Sequence, residues 1–99
     1  MLYSISDIKT ILHQHLADTP VRQAVLFGSY AKGTPNENSD LDLVVDLDGN
    51  TRNFAFWGVY EILREAFSIP VELFEKGEIV PGQQADQEIS ATGVVVYDR

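Results

Sequence analysis

Gly28-Ser29 and the aspartates Asp40 and Asp42 stand in one run, GSYAKGTPNENSDLDLVVD, with the two acids eleven and thirteen residues after Ser29. Glycine accepts backbone torsions that a residue with a Cβ resists. Ser29 offers a hydroxyl together with the N-terminal amides of a short helical turn, Tyr30-Ala31-Lys32, so a small-residue turn after a strand forms an anion site. Two neighbouring carboxylates repel unless a proton or a cation sits between them, and a divalent metal with oxygen ligands is the ordinary solution. Magnesium is the expected ion, because it takes few protein ligands and shares phosphate oxygens with its substrate. A phosphate cradle beside paired carboxylates is the equipment of a metal-dependent attack on a nucleoside triphosphate.

These groups need rigid elements to hold them. Val21–Phe27 reads as a buried strand, with Val21, Gln23, Val25 and Phe27 on one face. Gly33, Thr34, Pro35 and Asn36 break the helical turn into a loop, and Ser39 precedes a second strand over Leu41–Leu47. Alternation along that strand puts Asp40 and Asp42 on one face and Leu41, Leu43, Val45 and Leu47 on the other. Asp46 shares the face of the aspartates further along, as a supporting group or a solvated strand end, and Asp46–Asn50 is expected to turn. A helix over Ser6–Ala17, capped at Ser4 or Ser6, presents Ile8, Ile11, Leu12 and Leu16 to the sheet. His13 and His15 are two apart and share no helix face, which argues against a metal pair and for solvated histidines.

The span Thr51–Phe67 reads as a second helix with apolar residues around much of its circumference, including Phe54, Phe56, Trp57, Val59 and Tyr60. Such a helix is deeply buried or partly reserved for a partner, so some of Phe56, Trp57 and Tyr60 belongs either to the core or to an interface. The run Ile69–Glu75 reads as a third strand, Ile79–Ala91 contains a short helix, and Val94–Tyr97 is a last, β-branched strand.

GSYAKG followed by SDLDLVV resembles the signature of the DNA polymerase β-like nucleotidyltransferase superfamily, and the short chain resembles its minimal, MntA-type antitoxin members. The resemblance implies an α/β (α+β) fold, a small mixed β-sheet flanked by helices. It also implies magnesium-dependent transfer of a nucleoside monophosphate and a third acidic residue on a later strand. Glu72 is that candidate, since it shares a face with Phe74 while Val71, Leu73 and Glu75 take the other. The family's pattern usually carries aspartate there. Glutamate is one methylene longer, and a displacement of about 1 Å can cost on the order of 10²-fold in rate, so reduced activity or a shifted acceptor is expected.

On this reading Asp40, Asp42 and Glu72 are the catalytic, metal-holding set for two Mg²⁺ ions, and Gly28, Ser29, Lys32 and Ser39 bind the nucleotide. Lys32 either supplies a point charge to the phosphates or is a solvated helical lysine. The reaction is an in-line displacement at the α-phosphorus of ATP with pyrophosphate leaving. The resemblance further implies a toxin–antitoxin pair in which AMP passes to a tyrosine hydroxyl of a HEPN-domain toxin. Two alternatives stay open: an antitoxin that neutralises its partner by binding alone, and a transferase acting on a small molecule, as aminoglycoside nucleotidyltransferases do.

Composition bounds these choices. With 99 residues and 44% hydrophobic content, a single domain over residues 1–99 is expected, without room for a second lobe to hold an acceptor. The net charge of −8, from 15 acidic and 7 basic residues, disfavours a nucleic-acid acceptor and favours a basic protein partner. Cysteine is absent, which excludes disulfides and thiolate zinc sites. No apolar run has the length of a signal-peptide core or a membrane span, so a cytoplasmic protein without membrane contact is the simplest expectation.

Overall fold

The computed structural model describes residues 2–47 and 53–99. Four strands, β1 (Gln23–Phe27), β2 (Leu41–Asp46), β3 (Val71–Glu75) and β4 (Val94–Asp98), form one mixed sheet in the order β3-β2-β1-β4. β1 runs antiparallel to both β2 and β4, whereas β2 and β3 are parallel. Parallel neighbours need a crossover. Here α3 (Asn53–Ala66) supplies it between β2 and β3. The fold is therefore the mixed sheet flanked by helices that the motif implied.

The helices α1 (Ile5–Leu16) and α3 cover one sheet face, and their apolar stripes, Ile8, Leu12 and Leu16 on α1 and Val59 and Leu63 on α3, are at most 1% exposed. Leu41, Leu43 and Val45 of β2 join the same core cluster as Ala24 and Leu26 of β1. Ser4 begins α1 with a capping box, its hydroxyl accepting from Asp7 N–H at 2.9 Å while the Asp7 carboxylate accepts from Ser4 N–H at 3.0 Å. Such a cap is worth about 1 kcal/mol.

The opposite sheet face carries Asp42, Val44 and Asp46 from β2 with Val25 and Phe27 from β1. It is only partly covered, by α4 (Gln84–Thr92), which packs on β1. That incomplete cover leaves the aspartate face open at one end. Among the described residues no helix is long and apolar enough to cross a membrane.

Several expectations shift. Val21 precedes β1 and is fully buried in the Ala24–Leu26 core, not on the face of Gln23, Val25 and Phe27. The chain kinks just before it, where the Thr19 hydroxyl donates to Leu16 O at 2.7 Å and accepts from Val21 N–H at 3.3 Å, so alternation starts only at Gln23. The short helix expected within Ile79–Ala91 is present as Gln84–Thr92, starting after the positive φ of Gly82 (83°), and a 3₁₀ turn at Lys76–Glu78 precedes that run. Part of the Asp46–Asn50 turn, and the start of the Thr51–Phe67 helix, lie outside the described residues.

Candidate functional site

Gly28 ends β1 and opens the one-turn helix α2 (Ser29–Lys32). Its torsions, φ 75° and ψ −156°, belong to a region that only glycine occupies without strain. A side chain there would also collide with Asp42: a Cβ would overlap Oδ2 and lie 3.1 Å from Cγ. Glycine therefore has two independent reasons to stand at position 28, and the second one ties the turn directly to the carboxylate.

The first-turn N–H groups of a helix have no intrahelical partner, and Ser29 stands among them at the N-terminus of α2. The turn is closed from within, by Lys32 N–H on Gly28 O at 3.1 Å and Thr34 N–H on Ser29 O at 3.1 Å. Gly33, with φ 77°, ends it in the left-handed conformation.

Sheet register brings the acids together. Asp42 pairs with Phe27 on one side and with Glu72 on the other, so the two carboxylates are neighbours across parallel strands. Their proximity moves Asp42 strongly: its carboxyl is pushed up to about 7, first by burial, then by its hydrogen bond to Glu72, then by the charges of Glu72, Asp40 and Glu88. Near neutral pH the protonated Asp42 carboxyl donates to Glu72. Asp40 lies just before β2, half-buried, close enough for its charge to act on Asp42.

Asp42 and Glu72 border a cleft of about 460 Å³, with walls of Phe27, Asp42, Glu72 and Phe74 from the sheet and Gln83, Gln84, Ala85 and Glu88 from α4 and the residue before it; Asp40, Gly28, Ser29, Lys32 and Ser39 are not in its lining. The volume is within the range of small-molecule sites. A more apolar cavity of about 330 Å³ lies further along the same sheet face, beneath Ile79 and Ile89, and shares no lining residue with the cleft. It contains none of the grouped acids.

The other sequence-derived candidates fall differently. Lys32 is tied across the cleft rim to Glu88, Nζ to Oε1 at 3.4 Å, so its positive charge is held beside α4. The Ser39 hydroxyl accepts from Asn36 N–H at 2.9 Å and braces the loop before Asp40. Asp46 shares the face of Asp42 but pairs with Arg22 at 2.5 Å, the far end of the strand. Glu75 caps the following 3₁₀ turn through Gly77 N–H. His13 and His15 are exposed on α1, with the His13 ring tilted against Tyr97 at a centroid distance of 5.3 Å. Glu88 and Gln83–Gln84 reach the cleft without having been singled out in the sequence. The only signal for Glu88 was its place on the short helix, whose docking against β1 is a tertiary matter.

Asp40, Asp42 and Glu72 would offer a hard divalent cation only carboxylate oxygens, and burial, followed by the neighbouring carboxylates, raises the Asp42 pKa. Among the described residues no three His, Cys, Asp or Glu side chains come together as a group that could hold a metal ion, and the close pair is Asp42 with Glu72. Magnesium completes its shell with water and phosphate oxygens, so a pair of carboxylates would be the start of such a site and not the whole of it.

Residues 5–93 match the family described as nucleotidyltransferase domain. A candidate protein adenylyltransferase of Methanocaldococcus jannaschii is 37% identical over 84 residues, covering 77% of this chain and 82% of that protein. The protein adenylyltransferase MntA of Thermococcus cleftensis is 28% identical over 85 residues, covering 82% of this chain and 86% of its own. Among solved structures, a toxin–antitoxin structure with AMP-PNP superposes with a TM-score of 0.71 at 24% identity, covering 98% of this chain and 75% of that one. A Shewanella oneidensis complex of a tri-AMPylated HEPN toxin with MNT antitoxin gives 0.61 at 20% identity over 96% of this chain and 70% of that chain. The structural likenesses are likenesses of fold. The sequence matches carry more: this chain belongs to the nucleotidyltransferase domain family.

Proposed function

We propose that the chain is a magnesium-dependent protein adenylyltransferase, the antitoxin of a HEPN-type toxin, which moves AMP from ATP to a tyrosine hydroxyl of that toxin. The observation that carries this reading is the Asp42–Glu72 pair in register beside the Gly28–Ser29 turn, in a family of nucleotidyltransferases. Similarity to protein adenylyltransferases, and to an antitoxin bound to an AMPylated toxin, supports the choice of acceptor.

Asp40, Asp42 and Glu72 would hold the cations. When bound, magnesium supplies charge neutralisation for the triphosphate and lowers the pKa of the attacking hydroxyl. The protein's own groups then do the rest. The Ser29 hydroxyl and the first amides of α2 receive the β- and γ-phosphates, which orients the Pα–O bond in line with the acceptor. The tyrosine oxygen bonds to the α-phosphorus as the bond to the β-phosphate oxygen breaks. Glu72 takes the phenolic proton, and pyrophosphate departs from the Gly28–Ser29 turn. Residues 1–99 act as one domain, with the toxin completing the acceptor side of the cleft.

Glu88 sets a cost on this site. Its carboxylate faces the cleft where the triphosphate must come, and it holds Lys32. Glu88→Gln removes a negative charge and releases Lys32 towards the phosphates. The KM for ATP is expected to fall several-fold, with a smaller change in kcat; an unchanged or higher KM in steady-state assays would place Lys32 outside phosphate binding.

The direct test is intact-mass analysis of a co-expressed HEPN-type toxin after incubation with ATP, with magnesium or with EDTA. A gain of one or more AMP units that requires the metal is expected. A stable complex with no gain in mass would instead assign the chain to neutralisation by binding alone.

A further inference from the structure

α3 has two unlike sides. Phe56, Val59 and Leu63 face the core, but Phe54 is 93% exposed and Trp57 61% exposed. At helical spacing Phe54, Trp57, Gly58, Glu61 and Glu65 share the outward side. Scattered apolar residues on a surface are ordinary, whereas two large aromatics a turn apart on a helix that already has a full core face form a patch. Trp57 is also braced, edge to face, by Phe56 at 5.6 Å and by Tyr60 at 6.0 Å. A ring held in this way loses little freedom when a partner covers it.

Gly58 is an independent observation. Glycine inside a helix costs stability relative to alanine, and it persists where something must come close. Among the described residues nothing beyond the helix's own backbone comes close: a Cβ on Gly58 would find no such atom within 4 Å. The helix thus carries a flat notch between Trp57 and Glu61 that no described residue fills. Close approach of another chain's backbone would use it.

Charge selects the occupant. Beyond the aromatics the same side becomes acidic, with Glu61 and Glu65 exposed and Arg64 turned onto Glu61 at 3.3 Å. A second copy of this chain would add another net charge of −8 to the first. A basic partner meets the opposite condition. We propose that the outward side of α3 docks the HEPN-type toxin, its aromatics in an apolar groove and its acids against lysines or arginines at the groove's edge. This inference rests on the function proposed above. The patch lies on the α1/α3 side of the sheet, away from Asp42 and Glu72, so docking leaves the cleft free for the acceptor tyrosine.

The test compares wild type with Phe54→Ser/Trp57→Ser and, separately, Gly58→Gln, using purified HEPN-type toxin, calorimetric titration and AMP-transfer kinetics. The double variant should bind the toxin at least 100-fold more weakly. Its KM for toxin should rise to match, with kcat and the KM for ATP unchanged and the melting temperature not lowered. Gly58→Gln should weaken binding at least tenfold although the helix itself becomes no less stable. If wild type binds and both variants bind within twofold of it, the surface is refuted while the transferase reading stands. A concentration-dependent homodimer in sedimentation that Trp57→Ser disperses would refute it in favour of self-association. Wild type that neither binds nor modifies the toxin would overturn the antitoxin reading and this surface with it.

Discussion

Asp42→Asn is expected to abolish AMP transfer and, in the same protein, to raise the melting temperature at pH 8. The two effects share a cause. Asp42 is held among carboxylates, partly buried, with its pKa pushed up to about 7 by burial and by Glu72. In the unfolded chain an aspartate titrates near 3.9. Between about pH 4 and pH 7 the native state therefore keeps a proton that the unfolded state has released, and stability falls as pH rises through that window. Above pH 7 the full penalty is present; below about pH 4 both states are protonated and it vanishes. Asparagine resembles the protonated form, neutral and able to donate to Glu72. Melting curves of the metal-free proteins should then separate at pH 8, with the variant higher, and converge towards pH 4. Screening at a half-exposed site reduces the size of the gap without changing its sign.

The catalytic loss runs the other way. A bound cation stabilises transition-state charge by several kcal/mol, and each 1.36 kcal/mol is tenfold in rate, so loss of one anionic ligand should lower transfer by on the order of 10³-fold. Magnesium with a non-hydrolysable ATP analogue should also raise the melting temperature of wild type and leave the variant nearly unmoved. An Asp42→Asn protein that transfers AMP at more than a tenth of the wild-type rate would remove Asp42 from the metal-holding set.

How far the chain could be read in advance depends on the range of the interaction concerned. The Gly28–Ser29 turn and the alternation of Leu41, Asp42, Leu43, Val44 and Val45 are local, set by one residue's torsions or by a period of two, and they are present in the structure as expected. The mixed sheet is what the family resemblance implied, and it is present. Asp46 shows the limit of alternation: it shares a face with Asp42, but four residues at about 3.3 Å each carry it some 13 Å away, to an ion pair with Arg22. Glu88 could not be found at all, since it reaches the cleft only because α4 folds back across β1. Lys32 has two roles open to it in the sequence, because no local pattern places the Glu88 carboxylate beside it. On α3 the apolar circumference was visible, yet dividing it into Phe56 inside and Phe54 and Trp57 outside required the sheet it packs on.

Gly28→Ala should combine a folding defect with a catalytic one, and the two can be separated. Its torsions cost a residue with a Cβ on the order of 1–3 kcal/mol. For a domain of this size that corresponds to roughly 4–8 °C in melting temperature per kcal/mol. The added methyl group also claims the space of Asp42 Oδ2, so the carboxylate must turn away from Glu72 or the α2 turn must shift outward. Either movement misplaces a metal ligand relative to the phosphate cradle by about the 1 Å that can cost on the order of 10²-fold in rate. A second consequence identifies which part yields. If the carboxylate rotates out, its hydrogen bond to Glu72 is lost and the Asp42 pKa falls from about 7 towards the ordinary carboxylate range, readable by NMR titration of the metal-free protein. If the turn shifts instead, that titration stays in place and ATP binding weakens. Gly33→Ala is the control for torsional strain alone, since position 33 has a similar positive φ of 77° but open space around its Cβ. It should lower the melting temperature and leave transfer near the wild-type rate. Equal losses of transfer in the two variants would show that Gly28 serves only the turn's backbone and not the seating of Asp42.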